Sequence, residues 1–285
     1  MDLSPPKKSI CYSQMETAKT RNAIISKLQK QFGTTKLDFL QNANLVIHHI
    51  KTTPTTKGTL PAHSSIKTIL ANIKATLRDA KLPTPEAYNT EFNKYAQEQQ
   101  VMTEAQTKTE VQCKNWKNWS EVVSLKKEFD ISSRDYLIYA LYTMNAPTRL
   151  DYTPMKWVGG NRADTSINYI ITHRDGTHTF VINQYKTAKT YGQIKFKATP
   201  ELDEVLNNWR GMHQSDEFLL MSDGEAISSN ALGQAITRIF GCSLNILRHA
   251  YISHVREGEL SYNEKKDLAS KMGHNPTMQE LYRKI

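Results

Sequence analysis

Cysteine is scarce in this chain: three in 285 residues, at Cys11, Cys113 and Cys242. An odd and widely scattered set cannot build a disulfide framework and shows no metal-ligand spacing, so it fits a reducing compartment. Long apolar runs are missing as well. Nothing approaches the roughly 18 consecutive apolar residues of a membrane span, and the first residues form no hydrophobic signal region. There is no internal repeat and no long low-complexity tract. These absences leave an intracellular protein with no membrane span. Apolar residues make up 39% of the chain, enough for ordinary cores, and 285 residues suit two domains better than one.

Acidic residues are rare at one end only. Residues 1–81 hold 13 Lys and Arg against 4 Asp and Glu, whereas residues 82–285 hold 24 of each. The whole net charge of +9 therefore resides in the first 81 residues. Such a basic region beside a neutral remainder suggests an anionic partner, nucleic acid or an acidic membrane surface. Charge alone is equally compatible with a solvated basic surface.

The patterning predicts a loose arm over 1–14, containing Pro5-Pro6-Lys7-Lys8, and a helical domain over 15–107. Apolar residues recur at helical spacing in Ala18–Phe32 and Leu37–Ile50. Ser64-Ser65 can cap a helix that buries Ile66, Ile69, Leu70, Ile73 and Leu77 while presenting Lys67, Lys74, Arg78 and Lys81. A polar helix is expected over about 86–107, then a linker at 108–117. Trp116 and Trp119 read as packing residues at the entry to a second domain, 118–285, in preference to a base-stacking platform. In that domain Ser132-Ser133 precede a helix, and Asp175-Gly176 separate two β-rich stretches, 166–173 and 177–185, as a hairpin. A third strand is expected over Gln193–Ala198, and a helix from Pro200 with Leu202, Val205, Leu206 and Trp209 on one face. Helices over 229–240, 243–256 and 261–272 follow, the last closed by Gly273. The fold class expected is α+β: an all-helical domain, then a mostly helical one with a small antiparallel sheet.

Several residues suit phosphoryl transfer. Arg149 and Arg248 would make a guanidinium clamp matched to phosphate oxygens and to the extra charge of a pentavalent transition state. Asp151 stands close enough in sequence to orient Arg149 or to neutralise it. Lys186, beside a turn in Tyr185-Lys186-Thr-Ala-Lys189-Thr-Tyr-Gly192, would protonate a leaving alkoxide, and Lys189 fits the same role. His274, just past a helix end, would hydrogen-bond phosphate or assist proton transfer. Tyr282 is the only tyrosine after it, and neighbouring arginines would favour its phenolate. Each residue alone also has a structural reading: an ion pair, a solvated lysine, a surface histidine, an apolar contact.

Taken in order, the words Ala146-Pro-Thr-Arg149-Leu, Tyr185-Lys186-Thr-Ala-Lys189-Thr-Tyr-Gly192, Leu247-Arg248-His249-Ala-Tyr-Ile-Ser253, Lys271-Met-Gly-His274 and Leu281-Tyr282-Arg283-Lys284 resemble the catalytic domain of tyrosine recombinases (phage-type integrases). The resemblance runs from Trp116 to the end, and is most like the integrase-like proteins of large DNA viruses and mobile elements. The basic helical region is similar in placement to that family's core-binding domain. The resemblance implies a DNA-associated enzyme acting on double-stranded DNA as a homo-oligomer, a tetramer, in a two-domain clamp. It implies attack by Tyr282, a 3′-phosphotyrosyl bond, phosphate binding by Arg149 and Arg248, and general acid catalysis by Lys186 with help from His274. Neither metal nor other cofactor is implied. The DNA contacts would come from Lys67, Lys74, Arg78, Lys81 and Lys189.

The chain departs from the family pattern in three places. Position 245, in the usual His-x-x-Arg word, is Asn245, whose amide hydrogen-bonds phosphate but cannot shuttle a proton. His274 and Tyr282 are eight residues apart where nine is common, and one residue changes helical phase by about 100°. Only Arg283, Lys284 and Ile285 follow Tyr282, without the longer helix many relatives use to dock on a neighbour. A type IB topoisomerase-like relaxing enzyme and a non-cutting DNA-binding relative are the alternative readings.

Overall fold

The computed structural model describes residues 12–160 and 164–284. The chain divides into two compact units, residues 1–105 and 106–285. The arm expected at 1–14 lies outside the described residues up to residue 11, and residues 12–14 already begin the first helix.

The first unit is helical: α1 (Tyr12–Gln31), α2 (Ala43–Thr52), α3 (His63–Asp79) and α4 (Glu86–Glu104). The helix expected over 37–50 is broken. Asp38–Gln41 form a turn of 3-10 helix, and Asn42 leaves helical geometry to cap α2, its side chain accepting from the Leu45 amide. A capping asparagine competes with helix continuation because it supplies the acceptor that the first amides lack. Helix α3 starts at His63, ahead of Ser64 and Ser65, so neither serine is its cap. Its inward face is the one expected: Ile66, Leu70, Ile73 and Leu77 are buried, and Ile69 is half-buried at the margin. Leu40, Val46, Ile50, Tyr88 and Tyr95 complete this core, with the Tyr88 hydroxyl donating to the Leu40 carbonyl at 2.9 Å.

The second unit is α+β. It opens with α5 (Glu110–Asn115), in the stretch expected to be linker, and α6 (Trp119–Ser124) just beyond it, where Trp119 is buried edge-on to Tyr251. Helix α7 (Arg134–Thr143), capped by Ser133, is central: Tyr136 through Tyr142 are all buried. The sheet follows: β1 (Met155–Gly159), β2 (Asn168–Thr172), β3 (His178–Ile182) and β4 (Ile194–Lys197), in that spatial order. Three strands pair antiparallel as expected. The fourth, β1, runs parallel to β2, so the sheet is mixed. Between β3 and β4 the chain makes the short helix α8 (Ala188–Tyr191).

Helix α9 (Pro200–Met212) buries Leu202, Val205, Leu206 and Trp209, the four residues its spacing singled out. Then come α10 (Ser229–Phe240), α11 (Leu244–Val255), α12 (Tyr262–Lys271) and α13 (Pro276–Glu280). Their starts are fixed by Ser228, Ser243, Ser261 and Asn275, each accepting a backbone amide three residues on. Among the described residues no helix is long and apolar enough to cross a membrane.

Candidate active site

Arg149, Arg248, His274 and Tyr282, far apart in sequence, converge in the second unit. Arg248 stands on α11, five residues past the Ser243 cap, and is only 2% exposed. Its guanidinium donates to the carbonyls of Pro147 and Met272, the latter at 3.0 Å, and to His274 Nε2 at 3.0 Å. Burial first, and the nearby Arg149 guanidinium second, lower its pKa to about 10. It therefore remains a cation at neutral pH.

Arg149 lies in the loop after α7. The Tyr142 hydroxyl donates to its carbonyl at 2.8 Å, and its amide donates to the Asp151 carboxylate at 3.0 Å. Asp151 thus orients the backbone of Arg149. Its own pKa is raised, chiefly by burial, against the opposing pull of that amide and both arginines.

Arg149 Nη2 meets His274 Nε2 at 3.2 Å, so one imidazole nitrogen faces two guanidiniums. Arginine only donates, so Nε2 must be the acceptor and the proton must sit on Nδ1. The electrostatics agree: burial, then Arg248, Arg149 and His249, drive the His274 pKa down to about 3. His274 Nδ1 and Arg149 Nη1 are both buried without a hydrogen-bond partner. Leaving two such donors unspent costs on the order of 1–3 kcal/mol each. An anion's oxygens are the natural partners for them.

Gly273 makes this crossing possible. Its φ of +65° closes α12, and a Cβ there would stand 3.0 Å from the Tyr185 ring and 3.4 Å from Arg149 Nη1. The β3–β4 connection is fastened at the same glycine. Tyr185 packs against it, and the Thr187 hydroxyl donates to its carbonyl at 3.0 Å. Lys186 lies between these two attachments and is exposed, as is Lys189 on α8.

Tyr282 is half-buried in the turn beyond α13. Its ring lies 4.4 Å from the His274 ring, centre to centre, and 6.0 Å from the Arg248 guanidinium carbon. Because Tyr282 is past the helix end, the eight-residue step from His274 does not translate into helical phase. Asn245, in the first turn of α11, is exposed and bonds none of these side chains.

Asn168 escaped notice in the sequence. It is 2% exposed, and its amide donates to the carbonyls of Asp151 and Gln184 at 2.9 and 3.0 Å. Its oxygen accepts the amides of Asn183 and Gln184 at 2.9 and 2.7 Å. One buried side chain thereby joins the Arg149 loop to the Lys186 connection. Nothing local to Asn168-Tyr-Ile-Ile-Thr172 signals this, since its partners lie about fifteen residues away on either side.

The cationic residues expected to meet DNA in the first unit divide into two kinds. Lys67, Lys74 and Arg78 follow one stripe of α3, at spacings of seven and four. Lys67 donates to Gln99 at 2.6 Å, and Lys74 lies 4.5 Å over the Phe92 ring. Arg78 and Lys81 are exposed. Among the described residues no group of His, Cys, Asp and Glu is arranged to hold a metal ion.

No family model and no curated protein matches the chain. Among solved structures, a crystal structure of XerA recombinase is similar at a TM-score of 0.40 with 10% sequence identity, over 95% of this chain and 87% of that one.

Proposed function

We propose that this chain cuts and rejoins double-stranded DNA by transesterification through Tyr282, as a site-specific recombinase or integrase. The observation that carries the reading is the meeting of two arginines at one histidine nitrogen beside a tyrosine, with two buried donors unspent. A scissile phosphate would take the guanidiniums from His274 Nε2 and engage Arg149 Nη1. Fixed cations at the non-bridging oxygens stabilise the pentavalent state more than the ground state. The Tyr282 phenolic oxygen bonds to phosphorus and the bond from phosphorus to the 5′ oxygen breaks. The phenolic proton passes to His274 Nε2, released by the arginines. The leaving 5′ oxygen takes a proton from Lys186, or from Lys189. The bond energy stays in the 3′-phosphotyrosyl link, so attack by a 5′-hydroxyl reverses the step with no added energy source, and four protomers would serve two duplexes. The basic first unit would hold the DNA backbone, with salt-sensitive affinity.

A non-cutting DNA-binding relative is the reading favoured by Asn245, which is exposed and stands apart from the cluster. The two separate on a nicked suicide duplex carrying the genomic sequence that flanks this protein's own gene, incubated in chelator. An SDS-resistant adduct formed by the wild type and lost in Tyr282→Phe is the expected result. Binding of that DNA without any adduct would sink the cutting mechanism.

A further inference from the structure

Tyr282 lies outside any helix, so something other than helical geometry must hold it. The last described residues are fastened to one face of α11. His249 Nδ1 meets the Tyr282 carbonyl at 2.6 Å and the two rings stack with centres 4.6 Å apart. A carbonyl only accepts, so Nδ1 carries the proton. One turn on, the Ser253 hydroxyl oxygen accepts the Lys284 amide at 2.8 Å. Just past the end of α11 and in line with that face, Arg256, largely shielded from solvent, forms an ion pair with Glu280. The positions 249, 253 and 256 are spaced four and three apart, one stripe of a helix. Gln106 adds a bond to the Glu280 carbonyl at 2.9 Å, and Gln279, 2% exposed, anchors the preceding turn. Neither His249, Ser253 nor Arg256 belongs to the phosphate-binding set.

We propose that His249, Ser253 and Arg256 are positioning residues that set the Tyr282 hydroxyl against Arg248 of the same chain. This deepens the strand-cutting reading and rests on it. Arg248 and His249 are neighbours on one rigid helix. One reaches the phosphate-binding histidine and the other reaches the nucleophile's backbone, so α11 acts as a common ruler for both. A neutral His249 suits the part, since burial and then the Lys284 and Arg248 charges lower its pKa, against the bond to the Tyr282 carbonyl, which raises it. The stripe also accounts for the short His274–Tyr282 step, because three attachments replace the constraint that helical phase would impose.

The test compares His249→Phe, which keeps a ring but loses the donor, with His249→Asn, which keeps a donor at the Nδ1 position. Single-turnover adduct formation on the suicide duplex is measured beside affinity for the same duplex. The expected result is a loss of at least tenfold in adduct rate for His249→Phe, unchanged affinity, and recovery of most of the rate in His249→Asn. Arg256→Glu should slow the step as well, and Arg256→Glu with Glu280→Arg should restore it, a rescue that loss of folding cannot mimic. Hydrogen exchange at the Lys284 amide should quicken in Ser253→Ala. If wild type forms adduct and His249→Phe matches its rate, or both His249 variants fail alike while the charge-swapped pair gives no rescue, the positioning role is wrong and the cutting mechanism stands. If wild type itself forms no adduct on DNA it binds, both fall together.

Discussion

The neutral His274 makes an acid-sensitivity prediction that can be worked through. An unfolded chain returns this histidine to an ordinary pKa of 6.5, while the folded site holds it at about 3. The folded state therefore refuses a proton that the unfolded state accepts. Above pH 6.5 both states are neutral and the site contributes no pH dependence. As pH falls below 6.5 the unfolded state gains protons and stability is lost progressively, levelling off only near pH 3. At pH 5 the gap is about 1.5 pH units, or about 2 kcal/mol at 1.36 kcal/mol per unit. All four tryptophans, Trp116, Trp119, Trp157 and Trp209, lie in the second unit. Tryptophan fluorescence during urea unfolding thus reports on the unit that holds the site. In His274→Gln the amide oxygen can accept from both arginines, yet it never titrates. The wild type should lose about 2 kcal/mol more than His274→Gln between pH 7.5 and pH 5, with His249 contributing to both alike. Equal pH dependence in the two proteins would refute the neutral tautomer and the arrangement of donors built upon it.

Five further outcomes are expected. Gly273→Ala forces an L residue into φ +65° with its Cβ 3.0 Å from the Tyr185 ring, costing about 1–2 kcal/mol in urea unfolding and slowing adduct formation further by displacing Arg149. Asn168→Leu strands two amides and two carbonyls, and should cost about 3 kcal/mol, read from the shift in the tryptophan unfolding midpoint. Arg78→Ala should weaken DNA binding and flatten its log–log salt dependence by about one unit, measured by fluorescence anisotropy; Lys74→Ala should chiefly lower stability, by about 0.5–1 kcal/mol, through its lost seat over Phe92. A duplex with sulfur replacing the scissile 5′ oxygen needs no general acid, so it should rescue Lys186→Ala to near wild-type adduct rates while leaving Lys189→Ala unaffected; rescue of Lys189→Ala instead would transfer the role.

Elements whose cause is local were legible. The α9 face follows from helical spacing after Pro200. The β2–β3 hairpin follows from Asp175-Gly176, where Gly176 takes φ +80° and its amide donates to the His173 carbonyl at 3.1 Å. The strand β1 was hidden although Pro154 and Gly159-Gly160 bracket it, because five residues are too few for a periodicity to show and no hairpin signal announces a parallel partner. The break at Asn42 was hidden for the opposite reason: the apolar spacing runs on across it, and only the cap chemistry of one side chain decides that the helix restarts.

The same division runs through the candidate site. Arg149, Arg248, His274 and Tyr282, which the structure brings together, could be picked out in the sequence as an ordered set, because the proposed phosphate chemistry calls for guanidinium, imidazole and phenol. Their mutual geometry was not. It depends on Asn168, Gly273 and the 249–253–256 stripe, whose importance lies in partners distant along the chain. Nor could the sequence reveal that the two arginines donate to one neutral imidazole nitrogen. Two guanidiniums brought together repel one another, and the acceptor lone pair of His274 between them offsets part of that repulsion. The histidine's low proton affinity and the phosphate binding proposed for the site therefore share an origin, the crowding of two fixed cations around a single buried nitrogen.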